Sequence, residues 1–404
     1  MSIGQRGIPS IVLLLVFATS GLLGCESQGE DPSGEVRQAT VLRRDISFDA
    51  RVETAVLDEA TASWQVETTR GRASARFLIL AVGCLSSPNR PSLPGLERFR
   101  GPVLHTGQWP HGGVALDGLR VAVIGTGSSA IQAVPVVARA ARHLFVLQRT
   151  ANFAVPAHNR PLEPGELDRI KADYPALRAT AQTRRNYISF AVNPQSALAV
   201  APEERLDAYE SRWATGGLCF NAAFADQLVD RRANAFAAEF VRGKIREIVR
   251  DPETAALLSP QSVIGCKRLC VESGYYEAFN RANVELVDVS QRPIEGVTET
   301  GIRAAGRELT VDAIVFATGF DAMTGSILRI DPIGEGGRPL SAAWAEGPKS
   351  YLGLSVAGFP NLFTITGPGS PSVLSNMIAS IEQHVDWIAD CLDGLRRAGR
   401  ERIE

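Results

Sequence analysis

The sequence predicts an α/β fold with parallel β-sheets, and three observations lead to that prediction. Residues 119–148 run through an apolar strand, a glycine-rich turn, a helix and a second apolar strand. Two apolar segments, 76–83 and 312–319, resemble each other, and each follows a short polar stretch and ends in small residues. Residues 160–262 carry few strand signals and contain amphipathic runs that indicate helices. Strands that alternate with helices are typical of sheets whose strands run parallel.

Length and composition indicate a globular protein with more than one domain. The chain has 404 residues, of which 45% are hydrophobic and 21% are charged, and its formal net charge is −2. This length allows two or three domains. The near-zero net charge supplies no basic surface field, so no nucleic-acid partner is expected.

The cysteines show neither a metal-binding nor a redox pattern. No C-x-x-C or C-x4-C pair occurs, which excludes a zinc ribbon, a thioredoxin-type pair and a disulfide reductase. Cys266 and Cys270 are four residues apart, and we interpret all six cysteines as small packing residues. The histidines have no ligand spacing either, so no metal site is expected.

The N-terminus predicts a targeting segment. Arg6 precedes the apolar run of residues 11–17, and Leu22-Leu23-Gly24-Cys25 resembles the lipobox of bacterial lipoproteins. We interpret residues 1–25 as an export signal with a lipid anchor on Cys25, and residues 26–34 as a flexible linker. Two alternatives stay open: the apolar run is a buried first strand or helix of the first domain, or these residues reflect a fused or misassembled reading frame.

The two similar apolar segments follow an antiparallel hairpin and a polar stretch. Residues 46–57 and 62–69 alternate apolar and polar side chains, which predicts the hairpin. The segments themselves end at Gly83 and Gly319. A glycine at the end of a buried strand lets the backbone approach a cofactor closely, and we assign both glycines to cofactor binding.

A dinucleotide-binding unit is the clearest local signal. The strand 119–124 leads into Gly125-Thr126-Gly127-Ser128-Ser129-Ala130, which matches G-x-G-x-x-[GA], and a helix over 131–141 and a strand over 143–148 follow. The first glycine allows the tight turn, and the second lets a pyrophosphate approach the backbone. The amide groups and positive dipole end of the helix N-terminus attract the phosphates.

The end of the second strand predicts which dinucleotide binds. NAD-binding units usually place an acid there for the ribose 2′-hydroxyl, whereas this chain has Gln148-Arg149-Thr150. A guanidinium suits a 2′-phosphate through forked, charge-assisted hydrogen bonds. We therefore predict NADPH over NADH. The alternative is that Arg149 is a solvated surface side chain.

A resemblance to a known family begins just upstream of this unit. Phe99, Gly101, His105, Trp109 and Pro110 stand in the pattern F-x-G-x-x-x-H-x-x-x-W-P. This pattern resembles the fingerprint of the Baeyer–Villiger monooxygenases, and the similarity, greatest to phenylacetone and cyclohexanone monooxygenase-like members, runs from about residue 40 to the C-terminus. The resemblance implies a flavoprotein with two dinucleotide-binding domains. It would use FAD, NADPH and O2 to convert a ketone to an ester or lactone, or to oxidise a sulfide.

The resemblance also implies residue roles. Lys267 would join Arg149 on the 2′-phosphate, and Arg268 would be the catalytic arginine that reaches the flavin. A guanidinium suits that role because it stabilises negative charge on oxygen without losing its proton. Surface Lys-Arg pairs are common, so the alternative is a solvated pair. His105 lies on an interdomain linker in that family, and we interpret it and Trp109 as coupling domain motion to the reaction.

The last part of the chain is implied to return to the flavin domain. Gly367 opens a loop over 367–377 that borders the substrate pocket in the family. A helix follows from about residue 375 to 397, and in the family its N-terminus points at the flavin. Asn376 and Met377, at the start of this helix, are assigned to cofactor binding with Gly367.

The resemblance divides the chain into three further domain segments. Residues 35–112 are expected to form part of an FAD-binding domain, and residues 113–305 an NADPH-binding domain with a helical insertion over 160–262. Residues 306–404 are expected to return to the FAD-binding domain.

One feature of the family has no counterpart in the sequence. Neither a second G-x-G-x-x-G nor the family's active-site aspartate occurs before residue 46, and the sequence ends at Glu404, before the family's final substrate-domain segment. We therefore expect a chain truncated at both ends relative to the family. The alternative hypothesis is a non-catalytic remnant that binds NADPH but not FAD, with or without a lipid anchor. The location is open too, because a lipobox implies export whereas NADPH is a cytoplasmic reductant.

Overall fold

A computed structural model describes residues 11–14, 46–188, 190–370 and 375–403. The chain forms two compact units: unit 1 comprises Met1–Ser87 and Phe320–Glu404, and unit 2 is Pro88–Gly319. The boundaries expected from the sequence, after residues 112 and 305, differ from these. The reason is that residues 103–105 and 313–316 are strands of the central sheet of unit 2.

The secondary structure alternates as expected. The strands of the described residues are β1 (Ile11–Leu14), β2 (Val52–Asp58), β3 (Ser63–Thr68), β4 (Gly71–Ala75), β5 (Phe77–Leu80), β6 (Val103–His105), β7 (Arg120–Ile124), β8 (His143–Gln148), β9 (Ala154–Pro156), β10 (Cys270–Glu272), β11 (Val284–Asp288), β12 (Gly296–Val297), β13 (Gly301–Ala304), β14 (Arg307–Thr310), β15 (Ala313–Phe316) and β16 (Leu362–Thr364). The α-helices in the same residues are α1 (Ser128–Ala140), α2 (Glu166–Ala172), α3 (Tyr174–Gln182), α4 (Pro202–Thr215), α5 (Arg231–Ile248), α6 (Pro252–Leu258), α7 (Tyr275–Ala278), α8 (Gly325–Leu328), α9 (Leu340–Ala343) and α10 (Met377–Arg397).

Unit 2 is built on a five-stranded parallel sheet in the order β11-β8-β7-β15-β6. Most side chains of β7 and β15 are buried, as expected for central strands with both faces covered. Helix α1 covers one face, and its Ala130, Ile131 and Val134 are fully buried in the main core of the unit. The antiparallel sheet β12-β13-β14 belongs to the same unit, and its Ile302 and Leu309 join Ile314 and Phe316 in a second core cluster.

An ion pair joins the amino ends of β7 and β15. The guanidinium of Arg120 donates to both carboxylate oxygens of Asp312, through Nε at 3.0 Å and Nη2 at 2.6 Å. The backbone N–H of Arg120 also donates to Asp312 Oδ2 at 2.8 Å. Hydrogen bonds from Arg120 lower the pKa of Asp312 to about 2. A forked pair of this kind is stronger than an ordinary surface pair.

We expect Asp312→Asn to lower the free energy of unfolding at neutral pH by about 1 kcal/mol, discounted for partial exposure. A carboxyl group whose pKa is lowered in the folded state stabilises the fold above its unfolded-state pKa of about 3.9. That contribution disappears as the pH falls towards about 2, so the variant and wild type should converge there. Urea titrations across this pH range measure the difference. Glu67→Gln, which breaks the exposed Arg72–Glu67 pair, is the control and should change stability little. An Asp312 effect that persisted at low pH would contradict the prediction.

The segment predicted to be a helical insertion contains no strand among its described residues. Helices α4 and α5 enclose an aromatic cluster in which the ring of Tyr209 lies 5.4 Å from those of Phe224 and Phe240. Helices α2 and α3 bury none of their described side chains. Strands β9 and β10, which precede and follow the insertion in the sequence, pair in parallel.

Unit 1 combines a parallel sheet, β1-β5-β16, with the antiparallel sheet β2-β3-β4. The predicted hairpin over 46–57 and 62–69 is present as β2 and β3, with narrower bounds. Trp64, on β3, is fully buried and its indole N–H donates to the carbonyl of Pro360 at 3.0 Å. Helix α10 packs through Ile388 against Phe77 and Phe363.

The apolar run near the N-terminus contributes a strand. Residues Ile11–Leu14 pair in parallel with Phe77–Leu80, which corresponds to the alternative in which the run is the first strand of a domain. Cys25 and the predicted linker 26–34 lie outside the described residues. In the part of the chain that the structure describes, no helix has the length and hydrophobicity needed to cross a membrane.

Candidate functional site

The carboxyl edge of the parallel sheet in unit 2 brings the glycine motif next to Arg149. Strands β7 and β8 are neighbours, with Ile124 opposite Leu147, so the residues after both strands meet at this edge. The Thr126 hydroxyl donates to the Thr150 carbonyl at 2.8 Å. Arg149 and Thr150 are exposed. The register of these strands therefore brings the predicted residues together, and the Arg149 side chain is exposed to solvent.

The two glycines of the motif differ in backbone conformation and in the space beside each Cα atom. Gly125 has φ +113°, and a Cβ there would lie 2.6 Å from the carbonyl oxygen of Ala317 on the neighbouring chain segment. Gly127 has an ordinary extended conformation, and a Cβ there would meet no protein atom within 4 Å. Gly125 is thus required by the protein backbone, whereas the space beside Gly127 is open.

The N-terminus of α1 is directed into that open space. Gly127 is its N-cap residue, and glycine has no side chain with which to cap the first amides of the helix. Ser128 is exposed and Ser129 is half-buried. An uncapped helix start leaves N–H groups and a positive dipole end for an anion.

A second cationic segment lies beside the helix start. Lys267 and Arg268 are exposed and precede β10, whose Cys270 is buried. Burial raises the pKa of the Cys270 thiol, while the positive charges of Arg268 and Lys267 and a hydrogen bond with Ser128 lower it. Helix α1 packs against β10, and Cys270 lies in the same buried cluster as Ala130 and Ile131, so Lys267 and Arg268 precede a strand that contacts the helix of the glycine motif.

His105 occupies the same sheet edge but is fully buried. Its Nδ1 accepts a hydrogen bond from the backbone N–H of Gly107 at 3.0 Å. Burial lowers the pKa of His105, while hydrogen bonds with the backbone of Asn89 and Gly319 raise it. Asn89 N–H in turn donates to the Gly319 carbonyl at 2.9 Å. The hydrogen bond between Asn89 and Gly319 therefore joins the two ends of unit 2.

The other fingerprint residues pack or lie in solvent. Phe99 packs at the edge of the second core cluster of the unit. A Cβ on Gly101 would collide with the carbonyl oxygen of Asp312, so glycine lets this segment run against the start of β15. Trp109 and Pro110 are exposed.

The predicted cofactor residues of unit 1 have varied surroundings. Gly83 is exposed in the left-handed region, with φ +69°, and this fits a close approach by a ligand. Gly367 is buried, and a Cβ there would lie 2.7 Å from the Gly353 carbonyl oxygen. The side chain of Asn376 caps α10 by accepting from the N–H of Ile378 at 3.1 Å, and Met377 is the first residue of that helix. Across the described residues, no group of His, Cys, Asp or Glu side chains could hold a metal ion.

Comparison with known proteins identifies the lineage. Residues 42–161 match the family described as flavin-binding monooxygenase-like. The chain is 39% identical over 377 residues to cyclohexanone 1,2-monooxygenase of Acinetobacter sp, an alignment that covers 92% of this chain and 68% of that protein. It is 38% identical over 374 residues to a Baeyer–Villiger monooxygenase of Pseudooceanicola batsensis, with 92% and 68% covered. The chain belongs to the Baeyer–Villiger monooxygenase family.

A solved structure confirms the fold class. The crystal structure of OTEMO in complex with FAD and NADP superposes with a TM-score of 0.88 at 35% identity, and the match covers 91% of this chain and 71% of that chain. The α/β, two-dinucleotide-binding-domain flavoprotein fold expected from the sequence is therefore confirmed.

For a Baeyer–Villiger monooxygenase, the structure adds residues that the sequence did not indicate. Asn152 donates to the Thr126 carbonyl at 2.7 Å and so braces the glycine motif. Cys270, interpreted from the sequence as a packing residue, lies in the same buried core cluster as Ala130 of the glycine motif. Gln148, buried at the end of β8, donates to the Leu257 carbonyl at 2.8 Å. These contacts join residues far apart in the chain, and no spacing rule would have found them.

Proposed function

We propose that this chain is an FAD- and NADPH-dependent Baeyer–Villiger monooxygenase that inserts one atom of O2 beside the carbonyl group of a ketone. The ketone, O2, NADPH and a proton would give the ester or lactone, water and NADP⁺. The observation that carries the proposal is the convergence, at one sheet edge, of a helix start whose N-cap is glycine with the exposed Arg149; the segment bearing Lys267 leads into β10, which packs against the same helix. A dinucleotide with an additional phosphate fits this arrangement.

Different residues of unit 2 would bind different parts of NADPH. The amides at the start of α1, in Ser128 and Ser129, would bind the pyrophosphate, with Gly125, Thr126 and Gly127 shaping the turn. Arg149 and Lys267 would bind the 2′-phosphate, and Thr150 would border it.

FAD, when bound, would take a hydride from NADPH and, with O2, supply the inserted oxygen. The exposed, left-handed Gly83 fits close contact with such a cofactor, and we assign Gly319, Gly367, Asn376 and Met377 to the same group. Arg268 would stabilise negative charge that develops on oxygen, because a guanidinium keeps its proton.

The substrate class follows from the relatives. The name of the Acinetobacter relative specifies cyclohexanone, and we propose a ketone, or a sulfide as an alternative acceptor of the oxygen atom. The pairing of Ile11–Leu14 supports a place for the N-terminal run within the fold, whereas the lipobox-like Leu22–Cys25 supports an anchored, exported protein. The mass of the mature N-terminus, with or without a lipid on Cys25, distinguishes these two locations.

A second candidate function is an NADPH-binding protein without FAD. It is favoured by one observation, the single G-x-G-x-x-[GA] motif in the sequence. We expect the purified full chain to be yellow, with flavin absorbance near 450 nm, and to oxidise NADPH when a cyclic ketone is added. A colourless protein that still binds NADP⁺ would support the second function. A protein that binds neither would refute both.

A further inference from the structure

We propose that Asn234 is a positioning residue of the nucleotide site: its buried side-chain amide fixes the backbone of Ile264 and thereby holds the loop that presents Lys267 and Arg268. The inference rests on the proposed role of Lys267 in binding NADPH. Asn234 lies in the helical insertion and has no place in the family fingerprint described above.

The contacts of Asn234 define its orientation. Asn234 is 5% exposed and lies in the first turns of α5. Its Nδ2 donates to the Ile264 carbonyl at 2.8 Å and to the Gln227 carbonyl at 2.9 Å, and its Oδ1 accepts from the Ile264 N–H at 3.1 Å. The amide therefore satisfies both backbone groups of Ile264, as a neighbouring β-strand would.

Ile264 is the first of two fixed points around the cationic loop. Its side chain is buried, and Gly265 then turns the chain with φ +86°, close against the side chain of Leu228. The second fixed point is Cys270, which pairs with Ala154 and whose N–H donates to the Phe153 carbonyl at 3.1 Å.

Lys267 and Arg268 lie in the short span between these fixed points. Both side chains are exposed, so core packing does not set their positions. Long cationic side chains lose considerable entropy when they are ordered, and a fixed backbone reduces the number of placements that each can reach. A further hydrogen bond from helix α5 fixes the chain shortly before this span, because Arg242 Nε donates to the Pro260 carbonyl at 2.8 Å.

Loss of the amide should loosen the loop while the rest of the unit stays folded. Asn234→Leu leaves both backbone groups of Ile264 without their side-chain partner. Asn234→Asp keeps the shape but turns two donated hydrogen bonds into contacts between oxygen atoms. The matched control is Val241→Ala, because Val241 is fully buried on the same helix and its truncation destabilises the core by leaving a cavity.

The test measures NADP⁺ binding by the full chain and hydrogen exchange of the amides of residues 264–269. Asn234→Leu is expected to raise the dissociation constant for NADP⁺ about tenfold and to speed exchange at Ile264, whereas Val241→Ala should change neither by more than about twofold. In a Lys267→Met background, Asn234→Leu should add less than about threefold, because both changes act through Lys267. If Asn234→Leu does not fold, Asn234→Asp takes its place.

Three outcomes are informative. Equal effects of Asn234→Leu and Val241→Ala, or a full additional loss in the Lys267→Met background, would overturn the positioning role. Failure of the wild-type chain to bind NADP⁺ would refute the proposed function instead. The exchange rate at Ile264 would even then decide whether Asn234 fixes the loop.

Discussion

The Gly127→Ala variant is expected to have the same thermal unfolding midpoint as wild type but to bind NADP⁺ at least about tenfold more weakly. The backbone of Gly127 is in a conformation that alanine adopts readily, and the added Cβ would touch no protein atom within 4 Å. The same Cβ would enter the open space at the start of α1, where a pyrophosphate has to approach the amides. Thermal unfolding followed by circular dichroism, together with titration by NADP⁺, measures both properties.

Gly125→Ala is the matched control, and the opposite pattern is expected of it. Its φ of +113° is strained for alanine, and its Cβ would lie 2.6 Å from the Ala317 carbonyl oxygen. We expect a loss of unfolding free energy of about 3 kcal/mol or more, or no soluble protein. A Gly127→Ala variant that bound NADP⁺ as tightly as wild type would show that the nucleotide does not pass over this turn.

Removal of the Arg149 charge is expected to change the choice between the two nicotinamide cofactors. Arg149→Ala should lower kcat/KM for NADPH by about 100-fold and change that for NADH by less than about threefold. The physical reason is that the guanidinium would contact only the 2′-phosphate, which NADH lacks. Steady-state rates with NADPH and with NADH, measured at one ionic strength, give the two changes in kcat/KM.

The control for Arg149 is a second arginine on a neighbouring element. Arg139 is exposed in the last turn of α1, at the end opposite the glycine motif. Arg139→Ala removes the same charge but should leave both rates within about twofold, because exposed charges at that distance are largely screened by salt. Equal losses with NADPH and NADH in Arg149→Ala would indicate a structural role for Arg149.

Much of unit 2 could be predicted from local sequence. Strand β8 has the predicted bounds of residues 143–148, and β7 and α1 differ from theirs by one to three residues. The reason is that a buried parallel strand and an amphipathic helix each leave a periodic signal in the sequence. The sequence also predicted that Arg149 lies beside the motif, because adjacent parallel strands end at the same sheet edge.

The parts that escaped prediction depend on contacts between distant residues. The fingerprint segment contributes β6, which joins the parallel sheet beside β15, and its short apolar stretch gives no strand signal. Asn234 and Ile264 are thirty residues apart, and an asparagine in an amphipathic helix looks like any polar residue. The N-terminal run was ambiguous for a different reason, since a short stretch of apolar residues suits a signal sequence and a buried strand equally well.

The insertion of unit 2 between the two segments of unit 1 has a consequence for synthesis on the ribosome. Unit 2 is one continuous stretch whose second and last residues are joined by the hydrogen bond from Asn89 to Gly319. All of its strands have left the ribosome once Gly319 has, so it can fold as an inserted domain while the chain is still growing. In unit 1, β5 pairs with β16, which is synthesised only after the whole of unit 2. The apolar strand β5 therefore lacks its β16 neighbour longest in the nascent chain, and it is the segment for which a chaperone would be needed most.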